Sequence, residues 1–258
     1  MLKRIIAGMA VLATVAAVQA AKVPFSDPFG PLGPVADWTS DTDPTFNNGS
    51  LGGVSSDIDW RGVTVSAPAG GDGHFGKLAY AATTYSTAWR LVGDGTEKDI
   101  TIQTKMFVPV VNTAAEPDDF LYQIVVFNQN SGGYSRFHFQ LNTDTGAIAA
   151  PRIRVQSGHP TLTTYLTLTA PTDFTAVEKW WDVKLVINNT ASTCEVFLDG
   201  VSKGVADCSA QSAGFNQGGK FGFAEYVDGD TGGNARSVYV DDFSVVSNAN
   251  VADWSAYE

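Results

Sequence analysis

The sequence predicts an all-β protein, built as a two-sheet sandwich or a barrel of antiparallel strands. From residue 60 onward, short segments rich in Val, Thr, Ile and aromatic residues alternate polar and apolar positions with period two. Turn residues separate these segments, and the 258-residue chain contains 26 glycines. About a dozen short strands without a long helical pattern are typical of two packed sheets or a closed barrel.

The N-terminal segment has the pattern of a secretory signal peptide. Lys3 and Arg4 precede an apolar run over residues 5–18, and Val18-Gln19-Ala20 satisfies the small-x-small cleavage rule. The run is too short for a membrane span. We therefore predict cleavage near Ala20, a secreted or periplasmic protein, and one folded domain over residues 21–258.

The charge of the chain excludes two classes of partner. The formal net charge is −11, and loss of Lys3 and Arg4 with residues 1–20 makes it −13. A strongly acidic protein repels nucleic acid and anionic membrane surfaces. We expect neither as a partner, and the sequence leaves the oligomeric state open.

The two cysteines, Cys194 and Cys208, suggest one disulfide in an exported protein. The segment between them contains Asp199-Gly200, a strong signal for a hairpin turn. A bridge closing a loop of this size would contribute roughly 3 kcal/mol in the chain-entropy model. The alternative is two buried thiols.

The predicted strands follow one another along the chain, and the last one poses a question. They cover residues 60–66, 76–83, 87–92, 99–110, 119–129, 134–142, 151–157, 161–169, 180–188, 194–200, 219–227 and 237–246. In the last strand, SVYVDDFSVV, strict alternation assigns Val238, Val240, Asp242, Ser244 and Val246 to one face. It assigns Tyr239, Asp241, Phe243 and Val245 to the other face. Each mostly apolar face thus carries one aspartate, although burial of an unpaired carboxylate is costly.

Several of these segments resemble the concanavalin A-like, or laminin G-like, jelly-roll domains. WWDVKLVINNTASTCEVFLDG (180–200) is similar to their tryptophan-initiated strand pair ending in Asp-Gly. GKFGFAEYVDGDTGGNARSVYVDDFSVV (219–246) is similar to their closing hairpin, and FSDPFGPLGPVADW (25–38) with DIDWRGVTVS (57–66) to their opening segment. The resemblance implies a two-sheet antiparallel β-sandwich. Because this fold serves lectins, binding modules, glycoside hydrolases and polysaccharide lyases, it does not decide the activity.

The hairpin over residues 134–157 carries the most informative polar pattern. The residues expected on one sheet face, together with a tyrosine of the next strand, are Arg136, His138, Gln140, Arg152, Arg154, Gln156 and Tyr165. One interpretation is an ordinary solvated sheet face. The other is a glycan-binding groove on the concave sheet, since arginines in an acidic chain favour carboxylate or sulfate groups and amides suit sugar hydroxyls. We predict polysaccharide binding here, with an acidic polysaccharide as the finer hypothesis.

Besides carbohydrate binding, the predicted fold allows three other functions: a polysaccharide lyase, a glycoside hydrolase and a non-catalytic structural protein. The resemblance to jelly-roll lyases implies that Arg136 and Gln140 would neutralise a uronate while His138 and Tyr165 moved protons. The Arg-x-Glu-x-Arg and Tyr-Phe-Lys-x-Gly runs of those lyases are absent, however. A retaining hydrolase of this fold would show Glu-x-Asp-x-x-Glu, which is also absent. The third alternative is a non-catalytic surface or matrix protein.

Trp38, Trp60 and Trp89 are expected in core or edge packing.

A structural calcium ion is the one cofactor that the sequence suggests. The resemblance implies a calcium site near the first and last strands, where Asp27, Asp241 and Asp242 are the candidate ligands. Calcium takes six to eight oxygens, so backbone carbonyls or water would complete the shell. The alternative for Asp241 and Asp242 is a hydrogen-bonded or charge-paired carboxylate.

Overall fold

The computed structural model describes the strands and part of the loops. It covers residues 25–30, 33–34, 39–40, 47–48, 50–58, 62–79, 85–91, 99–108, 119–128, 136–142, 152–157, 163–169, 178–188, 190–207, 219–228 and 237–247. The predicted signal peptide, residues 1–20, lies outside them. Within the described ranges every regular element is a strand, and no helix is long and apolar enough to cross a membrane.

Nineteen strands are defined in this part of the chain. They are β1 (Phe25–Asp27), β2 (Gly33–Pro34), β3 (Thr39–Ser40), β4 (Asn47–Asn48), β5 (Ser50–Val54), β6 (Ser56–Ile58), β7 (Thr64–Ser66), β8 (Phe75–Ala79), β9 (Tyr85–Leu91), β10 (Ile100–Val108), β11 (Asp119–Asn128), β12 (Arg136–Asn142), β13 (Arg152–Ser157), β14 (Thr163–Thr169), β15 (Lys179–Asn188), β16 (Thr193–Leu198), β17 (Val201–Asp207), β18 (Gly219–Asp228) and β19 (Ser237–Ser247).

Two large sheets form the sandwich. The nine-stranded sheet has the order β17-β16-β15-β10-β19-β8-β5-β2, with β1 paired beside β19. The eight-stranded sheet has the order β14-β13-β12-β11-β18-β9-β3, with β4 also paired to β9. The pairings are antiparallel except for the short β4–β9 pair. The predicted two-sheet antiparallel β-sandwich is confirmed.

One face of the nine-stranded sheet supplies the described core. Alternate positions of its central strands are fully or almost fully buried: Ile100, Ile102, Met106, Trp181, Val183, Leu185, Ile187, Cys194, Val196, Leu198, Val238, Val240, Phe243 and Val245. Burial of such side chains is the main favourable term in folding. Asp199-Gly200 forms the predicted hairpin turn between β16 and β17, with φ values of 49° and 76°. Cys194 is buried in this core, whereas Cys208 lies outside the described residues, so the disulfide stays a prediction.

A β-bulge interrupts the closing strand β19 at its aspartates. Lys105 of β10 pairs with Asp241, but Gln103 pairs with Ser244, so β19 contains one extra residue between these two positions. Asp242 has a φ of 49°, in the left-handed region, as bulges and turns require of one residue. The bulge shifts the alternation of the strand by one residue.

This shift corrects the predicted faces of the last strand. Val240 pairs with Met106 and Val245 with Ile102, and both partners belong to one face of β10. Val238, Val240, Phe243 and Val245 are therefore all in the core, which strict alternation does not allow. The assignment of Phe243 and Val245 to the face of Tyr239 and Asp241 was wrong because the extra residue had not been anticipated.

Thr104 satisfies the backbone group that the bulge displaces. Its hydroxyl is buried and donates a 2.8 Å hydrogen bond to the carbonyl oxygen of Asp241. A buried backbone carbonyl without a partner is costly. Thr104 therefore stabilises the irregular pairing of β10 with β19.

A second apolar cluster, here called the outer cluster, covers the opposite face of the same sheet. It consists of Val65, Phe75, Phe107 and Tyr239, with Val54, Val63, Ala67 and Trp180 packed around them. The two-stranded ribbon β6–β7 lies over it. Hydrogen bonds of 2.8 Å, from the Tyr239 hydroxyl to Asp57 and from the Trp180 indole to the Ser66 carbonyl, attach the ribbon to the sheet.

The substitution Thr104→Val tests the role of the hydroxyl at the bulge. Loss of a single buried hydrogen bond at nearly constant volume is expected to lower the free energy of unfolding by about 1–3 kcal/mol. Chemical denaturation measures this change, and Thr104→Ser, which keeps the hydroxyl, serves as the control. Equal stability of the valine variant and the wild type would contradict the assignment.

Candidate binding face and candidate cation site

The register of the eight-stranded sheet brings the predicted polar residues together on one face. Residues directly opposite one another in antiparallel strands share a face. Gln140 lies opposite Arg154, His138 opposite Gln156, and Asn142 opposite Arg152.

These pairs continue across β11, β18 and β9 as rows of opposed residues. We call the positions of four alternate rows the polar face. Its rows, each written from β9 outward, are Leu91–Lys220–Phe127–Arg136, Trp89–Gly222–Val125–His138–Gln156, Thr87–Ala224–Gln123–Gln140–Arg154, and Tyr85–Tyr226–Leu121–Asn142–Arg152.

The rows between them are mostly apolar. They run Arg90–Phe221–Val126–Phe137–Ser157, Ala88–Phe223–Ile124–Phe139–Val155 and Ser86–Glu225–Tyr122–Leu141–Ile153. In a sandwich the apolar face of each sheet forms the core and the alternate positions form the outer surface. The apolar rows therefore correspond to the core side of the sheet, and the rows of the polar face to its outer side.

Tyr165 is the one predicted residue whose position on the face is irregular. Val155 pairs with Leu166, but Gln156 pairs with Thr164, so Tyr165 is an extra residue in β14. Sequence alternation alone does not reveal this bulge. The neighbouring Thr167 still lies opposite Arg154.

The four rows of the polar face contain cationic, amide and aromatic residues. Within the described strands of this sheet, Asp and Glu occur at Asp119, Glu225 and Asp228. Glu225 belongs to an apolar row, while Asp119 lies opposite Asp228 at the strand ends, one alternate row beyond Tyr226. A pair of carboxylates thus stands at the margin of the polar face and not among its arginines.

The candidate cation site lies on the other sheet, beside the bulge. Asp241 is 1% exposed, and neither oxygen of its carboxylate accepts a hydrogen bond of normal geometry in the described structure, although the Asp242 backbone amide lies close enough to act on its pKa. Burial raises the pKa of Asp241 to about 7, and the nearby Asp242 and Asp72 add to the rise. The Asp242 backbone amide and Lys105 act in the opposite direction without offsetting it.

The other two predicted ligands are already engaged. Asp242 forms an ion pair with Lys105, and Asp27 accepts a 2.8 Å hydrogen bond from the Phe29 amide. Burial lowers the pKa of Lys105, but the hydrogen bond to Asp242 and the charges of Asp182 and Asp241 outweigh it, so the net shift is upward. Of the predicted set, Asp241 is the residue whose two carboxylate oxygens are both buried and unpaired.

The loop before β8 lies against Asp241 on the outer side of the sheet. Gly71 packs against it, since a Cβ at that residue would lie 3.5 Å from Asp241 Oδ2. Asp72, in the same loop, accepts a 2.9 Å hydrogen bond from the His74 amide and lies so close to Gly30 that a Cβ there would be 2.5 Å from its Oδ2. The segment after β1 therefore meets the loop before β8 at this point.

The surroundings of Asp241 fit a hard cation only with help from the backbone. Among the described residues, no group of three or more His, Cys, Asp or Glu side chains is arranged to hold a metal ion. Calcium accepts backbone carbonyls and water as ligands and needs six to eight oxygens. Asp241, with Asp72 and the carbonyls of the loop over residues 68–73, would have to supply the protein part of the shell.

Several solved structures have a fold similar to that of this chain, at low sequence identity. The chain is similar to a glycoside hydrolase family 16 endo-glucanase from Bacteroides ovatus, solved with G4G3G-2F-DNP, at 14% identity and a TM-score of 0.55; the match covers 86% of this chain and 99% of that one. A Bacillus licheniformis β-glucanase matches at 9% identity and a TM-score of 0.52, covering 86% and 97%.

A third similar structure is a sialidase, with 15% identity and a TM-score of 0.52; the match covers 92% of this chain but only 20% of the sialidase. No protein-family model and no curated protein matches the sequence. The solved structures nevertheless agree with the resemblance drawn from the motifs. The chain has the concanavalin A-like jelly-roll fold.

The substitution Asp241→Asn tests the buried carboxylate in the metal-free protein. Because the pKa of Asp241 is raised from 3.8 to about 7, the folded state keeps a proton that the unfolded state has lost between these values. The contribution of the Asp241 carboxyl group to the free energy of unfolding is therefore most favourable below pH 3.8. It falls as the pH rises to about 7 and is constant above that pH.

In the presence of a metal chelator, the free energy of unfolding of the Asp241→Asn variant is expected not to show this decline. Above about pH 7 the variant should melt a few degrees above the wild type. For a domain of this size 1 kcal/mol corresponds to roughly 2–4 °C. Thermal melting across the pH range measures the difference. Parallel pH profiles for the two proteins would show that Asp241 is not the titrating group.

Proposed function

We propose that the protein is an exported carbohydrate-binding jelly roll that binds a polysaccharide on its polar face. The observation that carries this proposal is the unbroken register from β9 to β13, which brings Arg152, Arg154, Gln140 and Gln123 to one face of one sheet. The similarity to glucanase structures supports a carbohydrate ligand for this fold. Export rests on the N-terminal sequence pattern.

An acidic polysaccharide is the ligand class that these residues favour. Guanidinium groups form bidentate, charge-assisted hydrogen bonds with carboxylates and sulfates. The rest of the chain is acidic and would repel such a polymer, so a local group of arginines is needed to hold it. Amide side chains at Gln140 and Gln156 suit the sugar hydroxyls between the charged groups.

Binding without hydrolysis is favoured by the distribution of carboxylates. A retaining glycosidase places two carboxyl groups about 5–5.5 Å apart on either side of the scissile bond. The four rows of the polar face hold none, and the Asp119–Asp228 pair stands beyond the last of them. We expect no release of reducing ends from polysaccharides.

A polysaccharide lyase acting on the same face is the second candidate. His138 is separated from Gln140 by one residue of β12, and Gln140 lies opposite Arg154. A base beside a carboxylate-neutralising pair is the arrangement that β-elimination of a uronate requires. The irregular position of Tyr165 leaves the proton donor of such a reaction undefined.

The substitutions Arg152→Ala and Arg154→Ala test the binding face. Each is expected to weaken the affinity for polyuronates by at least about tenfold, because a hydrogen bond to a charged group contributes roughly 1.5–3 kcal/mol and about 1.4 kcal/mol corresponds to a factor of ten. Isothermal titration calorimetry at low and high salt measures the loss, which should shrink as salt screens the charges. Lys184→Gln, which removes a positive charge from the other sheet, is the control.

Mixtures of the protein with polyuronates also distinguish a binding protein from the lyase and from the structural alternative. A rise in ultraviolet absorbance from an unsaturated product would establish a lyase in place of a binding protein. If the arginine variants bind as tightly as the wild type, the polar face is not the binding site. An absence of binding to any glycan, together with self-assembly, would favour the structural alternative.

We also propose that Asp241 binds a structural calcium ion with the loop over residues 68–73. The support is a buried carboxylate whose two oxygens accept no hydrogen bond of normal geometry, next to Gly71 and Asp72. A divalent cation would offset the cost of burying this charge. The ion would join the closing strand to the loop that follows the ribbon.

Calcium is expected to raise the melting temperature of the wild type above pH 7 and to have no such effect on Asp241→Asn. Ligand that binds only the folded state stabilises it by mass action. Differential scanning calorimetry with calcium or with chelator measures the shift, and magnesium is the ion control. An equal shift in both proteins would place the calcium site elsewhere.

A further inference from the structure

Strands β9 and β18 add three aromatic residues to the polar face. Trp89, for which the sequence predicts core or edge packing, belongs to the same row as His138 and Gln156. Tyr85 lies directly opposite Tyr226 in the row that ends at Arg152. The aromatic residues occupy two neighbouring strands, whereas Arg152, Arg154 and His138 occupy β12 and β13.

Small residues lie between these aromatic positions. Gly222 is opposite Trp89, and Ala224 is opposite both Thr87 and Gln123. A glycine and an alanine at alternate positions of a strand let a ligand approach the backbone closely. The register therefore places no large side chain at the β18 positions opposite Trp89 and Thr87.

The cationic residues of the polar face are concentrated at one end, and Lys220 of β18 is the one such residue of the four rows that lies outside it. At the β12–β13 end three arginines and a histidine favour anionic groups. At the β9–β18 end aromatic faces suit the apolar C–H face of a pyranose ring, which they cover at a low cost in conformational entropy. Where β11 and β18 meet at their ends, one alternate row beyond Tyr226, Asp119 and Asp228 oppose each other and would repel an anionic group.

We propose that Tyr85, Trp89 and Tyr226, around Gly222 and Ala224, form a ring-stacking subsite that is continuous with the arginine-bearing end of the polar face. This inference rests on the proposed function and extends it. The ligand would be an anionic polysaccharide chain that crosses the strands, with acidic groups over β12 and β13 and an uncharged ring face over β9 and β18. Its sugar at the aromatic end would carry no acidic group facing Asp119 and Asp228.

The separation of the two ends sets a minimum ligand length. β9 and β13 are four strand spacings apart in the sheet order, which corresponds to about 19 Å at the usual spacing of roughly 4.8 Å. A mono- or disaccharide engages one end only. A longer oligosaccharide engages both, and the second contact becomes intramolecular, so the affinity rises steeply once the chain spans the distance.

A size series of oligogalacturonates, from the disaccharide upward, tests this proposal by calorimetry. For the wild type, the affinity should rise by at least about tenfold at the length that spans both ends. Trp89→Ala and, separately, Tyr226→Ala should remove most of that rise. Trp89→Phe should retain most of the rise.

Gly222→Leu provides a variant that removes no aromatic group. A large side chain at this position should also abolish the rise with length, while circular dichroism and thermal melting confirm that the variant is folded. If Trp89→Ala, Tyr226→Ala and Gly222→Leu all keep the wild-type length dependence, the stacking subsite does not exist. If Arg152→Ala and Arg154→Ala are also without effect, the proposed function itself fails, so the two failures are distinguishable.

Discussion

The cross-strand register of the two sheets is the constraint on which the rest of the structure depends. In a strand the side-chain period is two residues, so a slip of one residue would exchange the faces of every position beyond it. In the eight-stranded sheet the register runs without a shift from β9 through β18, β11 and β12 to β13. That continuity keeps Arg154, Gln140 and Gln123 in one row and separates them from the apolar rows.

In the nine-stranded sheet the register shifts between β16 and β17 and between β10 and β19, and the second shift accounts for the aspartate pair. The extra residue adopts a left-handed conformation, which Asp tolerates better than a β-branched residue does. It also marks the point where β19 changes its neighbour, pairing with β8 before the bulge and with β1 after it. Asp242 is exposed and paired with Lys105, whereas Asp241 is buried under the loop around Gly71.

The burial of Asp241 follows from the second layer on that sheet. The ribbon β6–β7 covers Phe75, Phe107 and Tyr239, and its hydrogen bonds to Tyr239 and Trp180 hold it there. The chain leaving the ribbon passes over the bulge before it enters β8. A carboxylate that would be solvated at an open sheet surface is thereby enclosed, and its pKa rises.

Local alternation predicted the strands well because it depends only on neighbouring residues. The segments from residue 99 to residue 188 agree with β10–β15 within two residues at each end. The sequence predicted β17 only as the return of the Asp199-Gly200 hairpin, without bounds, because the burial pattern of Val201–Asp207 is irregular, and it did not predict the short strands β1–β6. The sequence also did not predict the bulge, because Asp-Asp within an apolar run is equally compatible with two regular strand residues.

The polar face was predictable in part for the same reason. Arg136, His138 and Gln140 alternate within one strand, so their common face can be read from the sequence. Trp89, Gly222 and Tyr226 join them only through pairings between segments far apart along the chain, which alternation does not disclose. Asp241 was identified as unusual from the sequence, but its lack of a normal hydrogen bond depends on a loop some 170 residues earlier.

The central claim is that one face of the eight-stranded sheet, from the arginines of β13 to the aromatic residues of β9, binds an acidic polysaccharide. Amide chemical-shift mapping during titration with an oligogalacturonate long enough to span the sheet tests it most directly. The account predicts perturbations concentrated in β9, β11, β12, β13 and β18, with those of the nine-stranded sheet unchanged. Perturbations confined to the nine-stranded sheet, or none at saturating oligosaccharide, would contradict it.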